Sequence, residues 1–129
     1  MSKIPNDLRY TEDHEYVKQS ADPVIVQVGI TDHAQSELGD VVFVELPKPG
    51  ATLGKGEAFG TIEAVKAVSD LLTPVAGTVT EVNATLAGDP ALVNRDPYGD
   101  GWMIKLRVKN PAEVNTLLGS AEYKKHVGE

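Results

Sequence analysis

The sequence contains no cysteine among its 129 residues. The fold therefore cannot depend on disulfides, and the polypeptide offers no thiolate nucleophile or thiolate metal ligand, so any sulfur redox chemistry must come from an added group. No apolar run is long enough to cross a bilayer, and residues 1–10 lack both a signal-peptide core and an Arg-rich transit segment. These absences predict a cytoplasmic protein, or one of the mitochondrial matrix if the chain is a processed eukaryotic one.

Basic residues are in the minority, with 12 Lys and Arg against 19 Asp and Glu and a formal net charge of −7. Binding to a nucleic acid requires the opposite balance, because lysine and arginine must replace the counterions of the phosphates. We therefore exclude nucleic acid as a partner. A negative charge steers a protein toward positively charged faces of other proteins, which favours brief, reversible docking.

The apolar residues occur in short stretches that glycine and proline separate. Their high content of β-branched side chains is typical of strands, and the spacing leaves little room for long helices. A length of 129 residues without a linker indicates one domain, residues 1–129, with a core at about 8–109. We therefore predict a β sandwich or barrel. The expected strands are 24–30, 41–46, 58–65, 75–82 and 102–108.

Two helical segments are predicted. The first covers about 32–38, with Thr31 as its N-cap and Gly39 at its C-terminal end. The second lies in the C-terminal segment at about 110–127, where Asn110 and Pro111 match a cap followed by proline at the first helical position. Val114, Leu117 and Leu118 are expected to form its apolar stripe. Gly119 is expected to break the helix, and Ser120 to cap a last turn.

A weak internal repeat aligns residues 39–44 with 77–82, and Thr52-Leu53 with Thr85-Leu86. Two such units would form two facing sheets, with Lys66 between them. By residue type alone, Lys66 is an ordinary exposed surface lysine. Its neighbours Ala64, Val65, Ala67 and Val68 allow a hairpin tip, but the absence of Asn-Gly or Asp-Gly excludes the primed turns that most tight hairpins use.

Five blocks of the sequence resemble, in order, those of glycine cleavage H proteins. They are LRYTEDHEYV at 8–17, GITDHAQ at 29–35, LGDVVFVELP at 38–47, GTIEAVKAVSD at 60–70, and LVN at 92–94 through PYGDGWM at 97–103. Gly50 and Gly77 resemble the glycine pair that flanks the modified lysine in the wider lipoyl and biotinyl domain group. The resemblance implies a flattened barrel-sandwich hybrid of two antiparallel sheets with a short internal helix and a C-terminal helix.

The resemblance also implies a non-catalytic carrier with one lipoic acid bound covalently to Lys66 by a lipoate ligase or a lipoyl or octanoyl transferase. The expected role is to shuttle the aminomethyl intermediate and reducing equivalents among three partners. These are glycine decarboxylase (P protein), aminomethyltransferase (T protein) and dihydrolipoyl dehydrogenase (L protein). A long flexible group on a rigid hairpin would meet the docked partners at high effective concentration.

Four supporting residues follow from the same resemblance. Glu63 and Asp70 match acids near the attachment site, and Glu15 and His33 match residues that could shelter the loaded amine. The sequence departs from the family pattern at Ala64, where serine is frequent, at Val68, where a small residue is common, and at Glu37, where some relatives have histidine.

Other readings remain open. A related carrier could donate its lipoyl group to other complexes or serve another sulfur pathway, and an unmodified interaction module could keep the fold without the group. Biotin is disfavoured because Val65 and Ala67 flank the lysine where biotinyl domains usually have methionines. An enzyme is disfavoured because no catalytic set is present, and no metal is expected because His14, His33 and His126 lack metal-motif spacing.

Overall fold

The computed structural model describes residues 3–129, so residues 1–2 of the predicted domain lie outside the described part. Its strands form two antiparallel sheets, with the order β1-β2-β3-β9-β8-β5 in the larger and β4-β6-β7 in the smaller. The strands are β1 (Arg9–Tyr10), β2 (Glu15–Gln19), β3 (Ile25–Ile30), β4 (Val41–Glu45), β5 (Thr52–Leu53), β6 (Ala58–Ala64), β7 (Val68–Leu72), β8 (Gly77–Val82) and β9 (Ile104–Val108).

The predicted mainly β fold of two antiparallel sheets is confirmed, but the described strands form no closed barrel. All five predicted strands are present within a few residues of their expected bounds, as β3, β4, β6, β8 and β9. β1, β2, β5 and β7 were not predicted. β1 and β5 are only two residues long, and β2 and β7 each contain two exposed polar residues, so none of the four shows the continuous apolar pattern that identified the others.

The centre of the larger sheet shows how the apolar residues form the core. β3 and β9 pair so that Val26 lies opposite Leu106 and Val28 opposite Ile104, and all four side chains are fully buried. Between them, Gln27 lies opposite Lys105 on the other face. This alternation gives one buried face and one polar face, and each fully buried aliphatic side chain contributes roughly 1.5–3 kcal/mol to folding.

The internal helix α1 (Asp32–Leu38) is confirmed with both of its ends. The Thr31 hydroxyl oxygen accepts a hydrogen bond from the Ala34 amide at 3.1 Å, and Gly39 ends the helix with a φ of 82°. Two single-turn helices, α2 (Thr85–Gly88) and α3 (Leu92–Arg95), were not predicted. Among residues 3–129, no helix is long and apolar enough to span a bilayer.

The C-terminal segment differs from its prediction. Residues Pro111–Thr116 form a 3₁₀ helix, and α4 (Ser120–His126) follows a short extended stretch in which Leu118 pairs with Tyr10 of β1. The predicted Asn110 cap and Pro111 position are confirmed, since the Ala112 amide donates to the Asn110 side chain at 3.2 Å, and a separate last turn follows Gly119. The predicted apolar stripe is wrong, because Val114 belongs to the 3₁₀ helix and Leu118 to the β-bridge. Gly119, not Ser120, holds the N-cap position, and its amide donates to the Glu122 carboxylate at 2.9 Å.

The predicted repeat holds only in part. Residues 39–44 cover most of β4 and residues 77–82 form β8, one strand in each sheet. The second pairing is wrong, because Thr52-Leu53 form β5 whereas Thr85-Leu86 begin α2. The repeat therefore does not define two equivalent halves.

Candidate functional site

Lys66 lies at the tip of the hairpin that joins β6 to β7. The Ala64 amide donates a hydrogen bond to the Ala67 carbonyl oxygen at 2.7 Å, which closes the tip. Within residues 3–129, His14 is the one non-glycine residue with a positive φ. The two residues of the tip, Val65 and Lys66, therefore both have a negative φ. The turn is therefore not of a primed type, as the sequence predicted.

The hairpin is supported by the adjacent strand β4. Val41, its first residue, pairs with Ala64, and the carbonyl oxygen of Asp40 accepts the Val65 amide hydrogen at an N···O distance of 3.0 Å. Lower in the sheet, Gly60 lies so close to the Glu45 carbonyl oxygen that a Cβ at this glycine would collide with it. This close backbone approach holds β6 tightly against β4.

The Lys66 side chain is exposed, and its ammonium group has no hydrogen bond or ion pair within residues 3–129. Its stem passes over Gly39, where a Cβ would lie 3.3 Å from the lysine Cε. The surrounding surface is apolar. The exposed large hydrophobic residues of the described chain all lie on this hairpin or on β4, namely Val42, Phe43, Val65 and Val68. Exposed apolar residues grouped in this way mark a contact surface.

The two predicted acids lie on the same hairpin. Glu63 is half-buried and pairs with Phe43 on one side and Val68 on the other. Asp70 is exposed and lies opposite Thr61. Because paired residues share a face and faces alternate along a strand, both carboxylates are on the same face of the smaller sheet as Val68. Within the described chain, neither forms an ion pair.

Glu15 contacts the other end of β7. The Leu72 amide donates to one of its carboxyl oxygens at 3.4 Å and the Thr11 hydroxyl donates to the other at 3.0 Å, while the residue is only 4% exposed. Burial raises the pKa of the Glu15 carboxyl to about 8, against the opposing effect of these hydrogen bonds. Glu15 lines a cavity of about 250 Å³ that also includes Asp13 and Lys55.

His33 belongs to a different group. It does not line the Glu15 cavity, and its ring nitrogens lie 3.5 Å from Glu37 and 3.7 Å from Glu129. The ring of His14 lies between those of His33 and His126, at centroid distances of 4.9 and 5.7 Å. Burial, followed by the neighbouring histidines, lowers the pKa of His14. No group of residues in the described part of the chain is arranged to hold a metal ion.

The structure thus places Lys66, Glu63 and Asp70 on one hairpin and Glu15 at the far end of it, whereas His33 is not among the residues that line the Glu15 cavity. The support that Asp40 gives to the tip was not predicted from the sequence. A backbone carbonyl carries no sequence signal. The convergence of the three histidines, which come from the β1–β2 turn, α1 and α4, was not predicted either.

The fold and the hairpin together define a small two-sheet β domain that presents one lysine at an exposed tip, the arrangement expected of a lipoyl or biotinyl carrier domain. Comparison with known proteins identifies the family. Residues 8–129 match the family model described as glycine cleavage H-protein. The chain is 54% identical over 128 residues to the glycine cleavage system H protein of Opitutus terrae, covering 99% of this chain and 100% of that one.

Two further matches agree. The H protein of Chlorobium limicola is 55% identical over 127 residues, which cover 98% of each chain. The crystal structure of a glycine cleavage system H protein from Mycobacterium marinum matches with a TM-score of 0.89 and 41% identity, over 98% of this chain and 100% of that one. The chain therefore belongs to the glycine cleavage H-protein family, and its role is that of a lipoyl carrier in the glycine cleavage system.

Proposed function

We propose that this chain carries one lipoyl group, joined as an amide to the Nζ atom of Lys66. The observation that supports this most directly is the position of the lysine. Its amine is exposed at a hairpin tip and has no partner within residues 3–129, so it can enter the active site of a lipoate ligase or a lipoyl or octanoyl transferase. When bound, the lipoyl group supplies the reducible sulfur that a chain without cysteine lacks.

The residues of the chain present and orient this group. The hydrogen bond from the Val65 amide to Asp40 and the close packing of Gly60 against Glu45 support the hairpin, while the Lys66 ammonium group has no partner within residues 3–129. A flexible group on a rigid support stays at high effective concentration near each docked partner. Formation of the amide also removes the positive charge of Lys66.

The proposed partners are the decarboxylase, the aminomethyltransferase and the dihydrolipoyl dehydrogenase, together with the enzyme that attaches the group. Support comes from the exposed fractions of Val65 and Val68, 74% and 67%, beside the acids Glu63 and Asp70. An apolar centre with charged neighbours suits brief, specific contacts. The relatives named above are bacterial, which supports placing these encounters in the cytoplasm.

Glu15 is proposed as the group that shelters a loaded amine. A buried carboxyl that holds its proton at neutral pH would ionise when a cation comes within reach, because the positive charge favours the carboxylate. The cavity beside it, about 250 Å³ in volume, provides room for a small group. Asp70, exposed on β7 between Lys66 and the cavity-lining Leu72, is proposed as a further charge along this strand.

The attachment site is tested by incubating the purified chain with a lipoate ligase, lipoate and ATP, followed by intact mass measurement and peptide mapping. The wild type is expected to gain one lipoyl group at Lys66, and Lys66→Arg none. Lys55→Arg is the matched control, because Lys55 is also an exposed lysine in a turn, between two glycines. Modification of Lys66→Arg, or attachment at another residue of the wild type, would contradict the proposal.

The non-catalytic role has its own test. The purified lipoylated chain alone is expected to release no carbon dioxide from labelled glycine. Glycine cleavage is expected to start only when the decarboxylase, the aminomethyltransferase and the dehydrogenase are added, and to be absent with Lys66→Arg. Turnover by the chain alone would show that it is an enzyme.

A further inference from the structure

The segment 39–41, here called the strap, connects α1 to β4 and lies against the lysine hairpin. Its middle residue, Asp40, accepts the Val65 amide hydrogen through its carbonyl oxygen at 3.0 Å. Its first residue, Gly39, lies under the stem of Lys66, and a Cβ there would be 3.3 Å from the lysine Cε. The position of the strap therefore determines where the hairpin tip sits and how the lysine stem leaves it.

One side chain holds both ends of the strap. The Asn94 side chain, from α3, accepts a hydrogen bond from the Val41 amide through Oδ1 at 2.9 Å and donates from Nδ2 to the Gly39 carbonyl oxygen at 2.9 Å. The same nitrogen donates to the Gln35 side-chain oxygen at 3.0 Å, which ties α1 into the arrangement. The two main-chain bonds need an acceptor and a donor in one planar group, so an amide fits and a carboxylate or an alkyl side chain does not.

These contacts connect Asn94 to the hairpin without direct contact between Asn94 and Lys66. The path runs from the Asn94 amide to Gly39 and Val41, then through Asp40 to the Val65 amide and the adjacent lysine. Val41 also pairs directly with Ala64 at the end of β6. Loss of Asn94 would release the strap at two points while leaving the strands of both sheets in place.

We propose that Asn94 is the positioning residue of the lysine hairpin, and that it determines how readily a modifying enzyme captures the Lys66 amine. This rests on the proposed function, since it requires lipoylation at Lys66. The effect of Asn94 on the strap and the hairpin does not depend on lipoylation and can be measured on the unmodified chain.

Asn83 offers a matched control. It is a buried asparagine whose Nδ2 donates to the carbonyl oxygens of Asp100 and Trp102 at 2.8 and 2.7 Å, and whose Oδ1 accepts from the Thr85 amide at 3.3 Å. Asn83→Ala therefore removes three hydrogen bonds, as Asn94→Ala does, but none of them reaches the strap or the hairpin. Both variants are compared with the wild type as full-length chains, at a temperature at which all three are folded.

The first measurement is amide hydrogen exchange at Val65, corrected for global unfolding. Loss of the strap contacts is expected to speed exchange about tenfold in Asn94→Ala and to leave it within about twofold of wild type in Asn83→Ala, the scale set by one or two net hydrogen bonds. Asn94→Asp keeps the acceptor but faces the Gly39 carbonyl oxygen with a carboxylate, so it should not restore protection. Equal exchange at Val65 in the two alanine variants would overturn the role of Asn94.

The second measurement is the rate of lipoyl transfer by a purified lipoate ligase, as a function of carrier concentration. Asn94→Ala is expected to show a KM for the carrier about tenfold higher with kcat little changed, because a mobile tip is captured less often but reacts normally once seated. Asn83→Ala should match the wild type. Faster exchange with an unchanged KM would overturn the proposal, whereas a wild type that takes no lipoyl group would overturn the proposed function instead.

Discussion

Glu15→Gln should make the stability of this protein less dependent on pH. The ordinary pKa of this carboxyl is 4.5, and burial raises it to about 8 in the folded chain. Between these values the folded protein retains a proton that the unfolded chain has lost, so the free energy of unfolding falls as pH rises. The contribution of Glu15 is fully present below pH 4.5 and is lost as pH rises through 8. At about 1.4 kcal/mol per pH unit, the loss at pH 7 is on the order of 3 kcal/mol.

Glutamine has the same shape and cannot ionise. It can accept from the Leu72 amide and donate to the Thr11 hydroxyl, so both present contacts have a substitute. The free energy of unfolding of the variant, minus that of the wild type, is therefore expected to rise from pH 4.5, by about 3 kcal/mol at pH 7, and to level off above pH 8. Any constant offset reports the change in hydrogen bonding and does not affect the slope.

The measurement is urea unfolding between pH 4 and 9, followed by circular dichroism and by the fluorescence of Trp102, the one tryptophan of the chain. Asp70→Asn is the matched control, because it makes the same change from acid to amide at an exposed residue. A flat difference for Glu15→Gln, or one that falls as pH rises, would refute the assignment of a buried, protonated carboxyl at this position.

Two further substitutions test the packing and the histidine group. Gly60→Ala should destabilise the protein by several kcal/mol, on the order of a severe core mutation, because its Cβ would collide with the Glu45 backbone. Gly88→Ala, where a Cβ meets nothing within 4 Å, should not lower the melting temperature. His14→Asn keeps a residue type that tolerates the φ of 71° and removes a group whose folded pKa is lowered. Relative to this variant, the wild type should lose stability as pH falls below 6.5 toward the folded pKa, measured by urea unfolding at pH 7.5 and 5. Equal differences at both pH values would mean that burial and the neighbouring histidines do not hold His14 neutral.

The sequence predicts those elements that local chemistry specifies. The β-branched stretches predicted β3, β4, β6, β8 and β9, and the Thr31 cap with Gly39 predicted both ends of α1. These features are readable because a strand face or a helix cap depends on residues only a few positions apart. Lys66 was different. Its residue type predicted only a surface lysine, and the ordered family blocks identified it as the candidate attachment site.

Other features depend on residues far apart in the chain and arise only in the tertiary structure. Glu15 is an ordinary acid in the sequence, and only its burial in the folded chain makes it hold a proton at neutral pH, even though the Leu72 amide of β7 donates to it. The strap contacts of Asn94 span 53 and 55 residues. The C-terminal apolar residues divided between a 3₁₀ turn and a β-bridge for the same reason, because Leu118 found its partner in Tyr10 at the opposite end of the chain. Desolvation and long-range hydrogen bonds arise only when the chain is folded, so no local sequence pattern predicts them.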